Sequence, residues 1–131
     1  MNENNPLNRL LVSDSQDVNK EELANLLEPY VFINKDSKSF DFSSKFHGLP
    51  THADRILIIF AAVKARHIIL QTEDRITPSE IIKMEVAAEG SIKGTLKRLS
   101  DDGEIKADKG KYYLPNYKIP KLVEHFKSFN K

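Results

Sequence analysis

The run Ile56-Leu57-Ile58-Ile59-Phe60-Ala61-Ala62-Val63 constrains this chain more than any other feature. It lies within a segment, Ala53 to Gln71, that contains no proline or glycine and reads as one long helix. Ile56, Leu57, Ile58, Ile59, Phe60, Val63, Ile68, Ile69 and Leu70 point in almost every direction around such a helix. A helix that is apolar all round is covered on several sides. In a chain of 131 residues it becomes the central packing post, or part of it is covered by a second subunit. Eight apolar residues followed by Lys64, Arg66 and His67 fall well short of the roughly 20 that a membrane helix needs.

A chain of this length supports one core, so a single domain is expected over residues 20–131. Residues 1–19 are polar, contain Asn2, Asn4, Asn5 and Pro6, and read as a mobile segment. They carry no basic stretch ahead of an apolar core, so no secretory signal is expected. The chain has no cysteine, which excludes disulfides, thiolate zinc sites and a cysteine nucleophile, and fits a reducing, cytoplasmic compartment.

Twenty basic and 19 acidic residues give a net charge of +1, which excludes a chain that is basic throughout. The charge is unevenly spread. Residues 1–50 hold 5 basic and 8 acidic side chains, residues 51–89 hold 5 and 6, and residues 90–131 hold 10 and 5. The last third is therefore a basic segment on a mildly acidic body. That pattern suits a one-sided anionic partner such as nucleic acid, and equally a solvated lysine-rich surface.

Local signals divide the chain further. Glu21 to Glu28 places Leu23, Leu26 and Leu27 on one face and stops before Pro29, which reads as a short helix. Tyr30–Ile33 and Ser39–Phe42 flank the polar loop Asn34–Lys38 and read as a β-hairpin. His47-Gly48-Leu49-Pro50 breaks the pattern, and Thr51 or His52 can open the long helix. Thr77-Pro78-Ser79-Glu80 has the spacing of a capping box with proline at the first helical position, followed by buried-face residues Ile81, Ile82 and Val86.

Beyond Ala88, Ile92, Leu96 and Leu99 fall at helical spacing, and Gly103 can end that helix in a left-handed conformation. Glu104–Ala107 and Lys111–Leu114 read as a second hairpin around a three-residue loop, Asp108-Lys109-Gly110. Ile119 to Phe129, opened by Pro120, reads as a terminal amphipathic helix with Leu122, Val123, Phe126 and Phe129 on one face. That face packs on the chain's own core, the simpler case, or on a neighbouring subunit.

The segments ITPSEI, EGSIKGTLKRL and DDGEIKADKGKYYLP, with the long helix before them, span about residues 52–115. In this order the stretch resembles the winged-helix (winged helix-turn-helix) superfamily. Lys83–Ala88 lacks the Leu-Gly turn common there. The expected fold is α+β: a winged-helix core at 52–115, preceded by a helix and hairpin at 20–50 and closed by a helix at 119–130.

The resemblance implies that the third helix enters the DNA major groove while the wing touches the backbone or minor groove. It thereby implies DNA contact by Ser91, Lys93, Gly94, Lys97 and Arg98 on the helix, and by Lys106, Lys109 and Lys111 on the wing. Lysine and arginine neutralise phosphates and can read guanine edges. The glycine at 94 reads either as a close backbone approach or as a tolerated small residue. Asp101, Asp102 and Glu104 stand beside the basic face and work against phosphate binding.

The expected partner is double-stranded DNA, engaged by a homodimer whose two copies read two half-sites, in transcription regulation. The alternative is a protein-interaction module built on the same fold, with the N-terminal hairpin and apolar helices as docking surfaces. No catalytic residue, metal or cofactor is expected. His47, His52, His67 and His125 lack metal-ligand spacing, no nucleophile motif or phosphate-cradling loop occurs, and Glu73-Asp74 and Asp101-Asp102 read as solvated turn residues.

Overall fold

The computed structural model describes residues 5–11 and 17–129. Its organising element is helix α3, His52–Leu70. Thr51 caps it by accepting a hydrogen bond from the Asp54 amide, and Gln71 ends it at φ 60 with its own amide bonded to the His67 carbonyl. Every residue from Ile56 to Lys64 is buried, because the helices Lys20–Leu27 and Glu89–Asp101 and the strand Val31–Ile33 pack around it. The all-round apolar pattern thus describes a central post covered by the chain itself.

The N-terminal half supplies one side of that cover. Helix α1, Lys20–Leu27, is capped by Asn19 and buries Leu23, Leu26 and Leu27. Strands β1, Val31–Ile33, and β2, Phe40–Phe42, pair antiparallel with Val31 opposite Phe42. Asn34 holds the connecting loop by accepting from the amides of Asp36 and Ser37. A four-residue helix, α2, Ser44–His47, follows where the sequence suggested only a break. Ser43 both caps it and donates to the Pro29 carbonyl at 2.6 Å, which lets Phe46 stack on Phe42 with ring centroids 4.1 Å apart. Earlier in the chain, Pro6–Leu10 forms a 3-10 helix. The rest of the stretch read as mobile, residues 1–4 and 12–16, lies outside the described residues.

The second half builds a smaller layer against the other side of α3. Helix α4, Pro78–Lys83, carries both hydrogen bonds of the capping box between Thr77 and Glu80. Glu85 then takes φ 57, turning the chain into α5, Glu89–Asp101, whose N-cap Ala88 makes no side-chain bond. Ile92, Thr95, Leu96 and Leu99 are buried, and α5 packs on both α3 and α4. Burying each large aliphatic side chain contributes about 1.5–3 kcal/mol. Gly103, at φ 77, reverses the chain as expected.

The second hairpin is shorter and shifted from its expected bounds. Strand β3 is Lys106–Asp108 and β4 is Lys111–Tyr113, so Asp108 is a strand residue paired with Lys111. The turn is Lys109-Gly110 alone, at φ 51 and 82, the two positive values of a tight hairpin turn. Glu104 and Ile105 do not join β3, because their amides bond back to the Leu99 carbonyl at the end of α5. Ile76 adds a third rung, exchanging both backbone hydrogen bonds with Tyr112 at 3.0 and 2.8 Å.

Helix α6, Ile119–Lys127, closes the fold on α1. Leu122, Val123 and Phe126 are buried, and Phe126 meets Tyr30 edge to face at 5.9 Å. Its apolar face is therefore self-packed. Phe129 lies beyond the helix and stays 39% exposed. The class is α+β: six α-helices with two separate two-stranded antiparallel sheets among the described residues.

Candidate nucleic-acid interface

Helix α5 buries one face and leaves the other bare. At about 100° per residue, Lys93 and Lys97 lie on one flank of the exposed side, and Arg98 and Ser91 lie about 100° further round. Lys93 pairs with Glu89 at 3.5 Å and Lys97 with Asp101 at 3.0 Å, each one helical turn away. Arg98 instead lines a shallow depression of about 370 Å³ with Asp102, Glu104, Lys121 and His125, toward α6. Ser91 is half-buried. The glycine at 94 is exposed, and a Cβ there would meet nothing within 4 Å, so no close approach to the protein explains it.

The pairs at Lys93 and Lys97 are exposed on both partners. Such surface i,i+4 pairs contribute roughly 0.3–0.5 kcal/mol each. A phosphate can displace the acid at little cost.

On the hairpin, strand alternation puts Lys106, Asp108, Lys111 and Tyr113 on one face and Ala107 and Tyr112 on the other. Tyr112 packs against the core, and on the opposite face Lys106 and Lys111 are half-buried. Lys106 Nζ lies 5.4 Å above the Tyr117 ring, Lys111 Nζ bonds Glu73 at 2.6 Å, and Lys109 stands exposed in the turn.

The base of this face is fixed by groups that local spacing does not reveal. Arg75 bonds Asp74 at 2.8 Å and Asp108 at 2.6 Å, with its guanidinium 4.4 Å from the centre of the Tyr113 ring. Lys64, buried in α3, lies 3.6 Å from Asp74. The hydrogen bond from Arg75, with the positive charges of Lys64, Arg75 and His67, holds the Asp74 carboxyl below its ordinary range despite partial burial. The same bond raises Arg75, whereas burial lowers Arg66.

Two sequence expectations are corrected by these contacts. Asp74 and Glu73 are ion-pair partners of the α3–α4 connection and the hairpin, and Asp101 is a helix residue paired with Lys97, so none is a bare turn residue. The structure brings Lys93 and Lys97 together on one flank of α5 and Lys106 and Lys111 together on one face of the hairpin. It does not gather all eight candidate residues on one face.

Sequence reasoning also missed the contact of buried Asp54 with His125, 2.9 Å apart across 71 residues. The described residues hold no cluster of three or more His, Cys, Asp or Glu side chains placed to bind a metal ion. Among them, no helix is long and apolar enough to cross a membrane. No protein-family model, curated protein or solved structure matches the chain.

Proposed function

We propose that this chain is a non-catalytic, winged-helix binder of double-stranded DNA, acting inside the cell as a homodimer in transcription regulation. The observation that carries the reading is the order α3, Ile76 rung, capped α4, α5, then a hairpin whose second strand takes the Ile76 rung. That order and pairing support a winged-helix reading, in which α5 would be the recognition helix and β3–β4 the wing. Its cations Lys93 and Lys97, exposed, and Lys111, half-buried, pair with exposed acids that phosphates can replace.

A helix seated in a major groove about 12 Å wide meets phosphates on both walls. Lys97 and Arg98, pointing about 100° apart, would then serve opposite walls. Lys109 in the wing turn would reach the backbone alongside, and Ser91 and the glycine at 94 would allow α5 to sit deep.

Fluorescence anisotropy with a random-sequence duplex at low salt tests the reading. Binding is expected, weakening as salt rises, with Lys97→Ala, Arg98→Ala and Lys109→Ala each lowering affinity and reducing the salt slope by about 1 per lost phosphate contact. Affinity unchanged by salt and by all three substitutions refutes it.

A second reading, a protein-interaction module, is favoured by a specific observation. An apolar groove lies between α1, β1 and the end of α3, distant in sequence from α5 and the second hairpin. Absence of duplex binding at micromolar protein selects that reading.

A further inference from the structure

The groove between α1, β1 and α3 has a volume of about 380 Å³ and is walled by Leu23, Leu27, Val31, Phe32, Ile68 and Ile69. Phe32 and Ile69 are 68% and 67% exposed, though both are large and apolar. Leaving such surface bare forgoes the stabilisation that burying a large apolar side chain gives. Contiguous exposed apolar surface of this kind marks an interaction site.

The same chain carries a matching surface. In the 3-10 helix Pro6–Leu10, three residues make one turn, so Leu7 and Leu10 share a stripe and Leu11 extends it. These leucines are 64%, 77% and 63% exposed. Three of the six large hydrophobics exposed among the described residues are thus on this arm, and two are in the groove.

We propose that the groove is filled by the Leu7–Leu11 arm of a second copy, the two chains exchanging arms reciprocally. The arm's three leucines are bare in the single chain, so they do not fill its own groove. Eight residues separate Leu11 from Lys20 and can span at most roughly 30 Å, enough to step onto a neighbouring copy. A reciprocal exchange satisfies two arms and two grooves at once and closes with two-fold symmetry, leaving no apolar surface to propagate an open chain of copies.

The absence of native cysteine allows a direct test on the full chain. Oxidising an equimolar mixture of a Leu10→Cys chain and an Ile69→Cys chain is expected to give a disulfide-linked species of twice the chain mass containing one of each. Sedimentation of the unmodified protein is expected to show a concentration-dependent dimer. Leu7→Ser/Leu10→Ser/Leu11→Ser and Ile69→Asp should each weaken that dimer more than about a hundredfold, as loss of central apolar anchors does. All four positions are exposed, so both variants keep the fold, checked by circular dichroism. Mixing these two variants should restore a one-to-one dimer, because one intact arm then meets one intact groove.

A wild-type chain that stays monomeric at every concentration overturns the proposal. So does a dimer that survives the triple substitution, which would mean grooves packing on grooves. A doubly substituted Leu10→Cys/Ile69→Cys chain that links only within itself would assign the groove to the chain's own arm and overturn it equally. None of these outcomes depends on duplex binding.

Discussion

Replacing Asp74 by asparagine removes a charge from the point where α3, the α3–α4 connection and the hairpin meet. In the folded protein this carboxylate lies 2.8 Å from Arg75 and 3.6 Å from Lys64, whose side chain is only 5% exposed. Breaking a fully buried pair by removing one partner costs about 3–5 kcal/mol. Asp74 is 27% exposed, and water reaching it screens part of the effect, so about 2 kcal/mol is expected. Unfolding entropy near 2.1 cal/mol/K per residue, over 131 residues, converts this into a fall in Tm of about 7 °C.

The sign of the pH dependence follows from the depressed native value of Asp74. Its stabilising contribution is complete above about pH 4, the ordinary carboxylate value, and is lost as pH falls from there through the native value. Thermal melts followed by circular dichroism should therefore separate wild type from Asp74→Asn at pH 7 and bring them together in strong acid. Adding Lys64→Met to Asp74→Asn should recover much of the loss, since the cation left behind is then gone. A Tm change under about 2 °C at pH 7, or a difference that persists undiminished in acid, would refute the assigned role of this carboxylate.

Two glycines should respond to the same substitution in opposite directions. Gly94→Ala, in an open helix-interior position, should raise stability by about 1 kcal/mol, whereas Gly103→Ala, at φ 77, should lower it by about 1–2 kcal/mol. Equal signs in urea titrations would contradict the geometry. Thr77→Ala removes one half of the capping box and should cost about 1 kcal/mol by the same measurement, with no change in the denaturant slope.

Short-range chemistry was legible in the sequence and long-range pairing was not. Thr77 and Glu80 stand at the spacing their reciprocal bonds require, and the cap, Pro78 and Ile81 point to the same helix. The all-round apolar character of residues 56–63 announced a covered post before any partner was known. Helix α2 escaped notice because four residues carry no periodicity and its cap, Ser43, is fixed by a carbonyl 14 residues earlier. The hairpin bounds were missed because Lys109, not a glycine, takes the first left-handed position of the turn. Similarly, Glu85 turns the chain before α5 with a residue that gives no turn signal.

At the candidate interface, residue types and elements were legible but mutual placement was not. Lys97 and its partner Asp101 are four apart and could be paired on paper. The bonds from Arg75 to Asp108 and from Lys111 to Glu73 close loops of 33 and 38 residues, which only the fold brings together. Arg98 diverges from Lys97 because adjacent helical residues differ by about 100°, and it lines the depression beside α6.

The two hydrogen bonds between Ile76 and Tyr112 divide the hairpin mechanically. Its root is stitched to the chain just before α4, so amide exchange at Ile76 and Tyr112 should require that corner of the protein to open as a unit. Its crown, Lys109 and Gly110, has no such tether beyond the turn itself. Whatever surface meets the crown therefore immobilises two residues rather than a whole loop, and the conformational entropy lost on contact is correspondingly small.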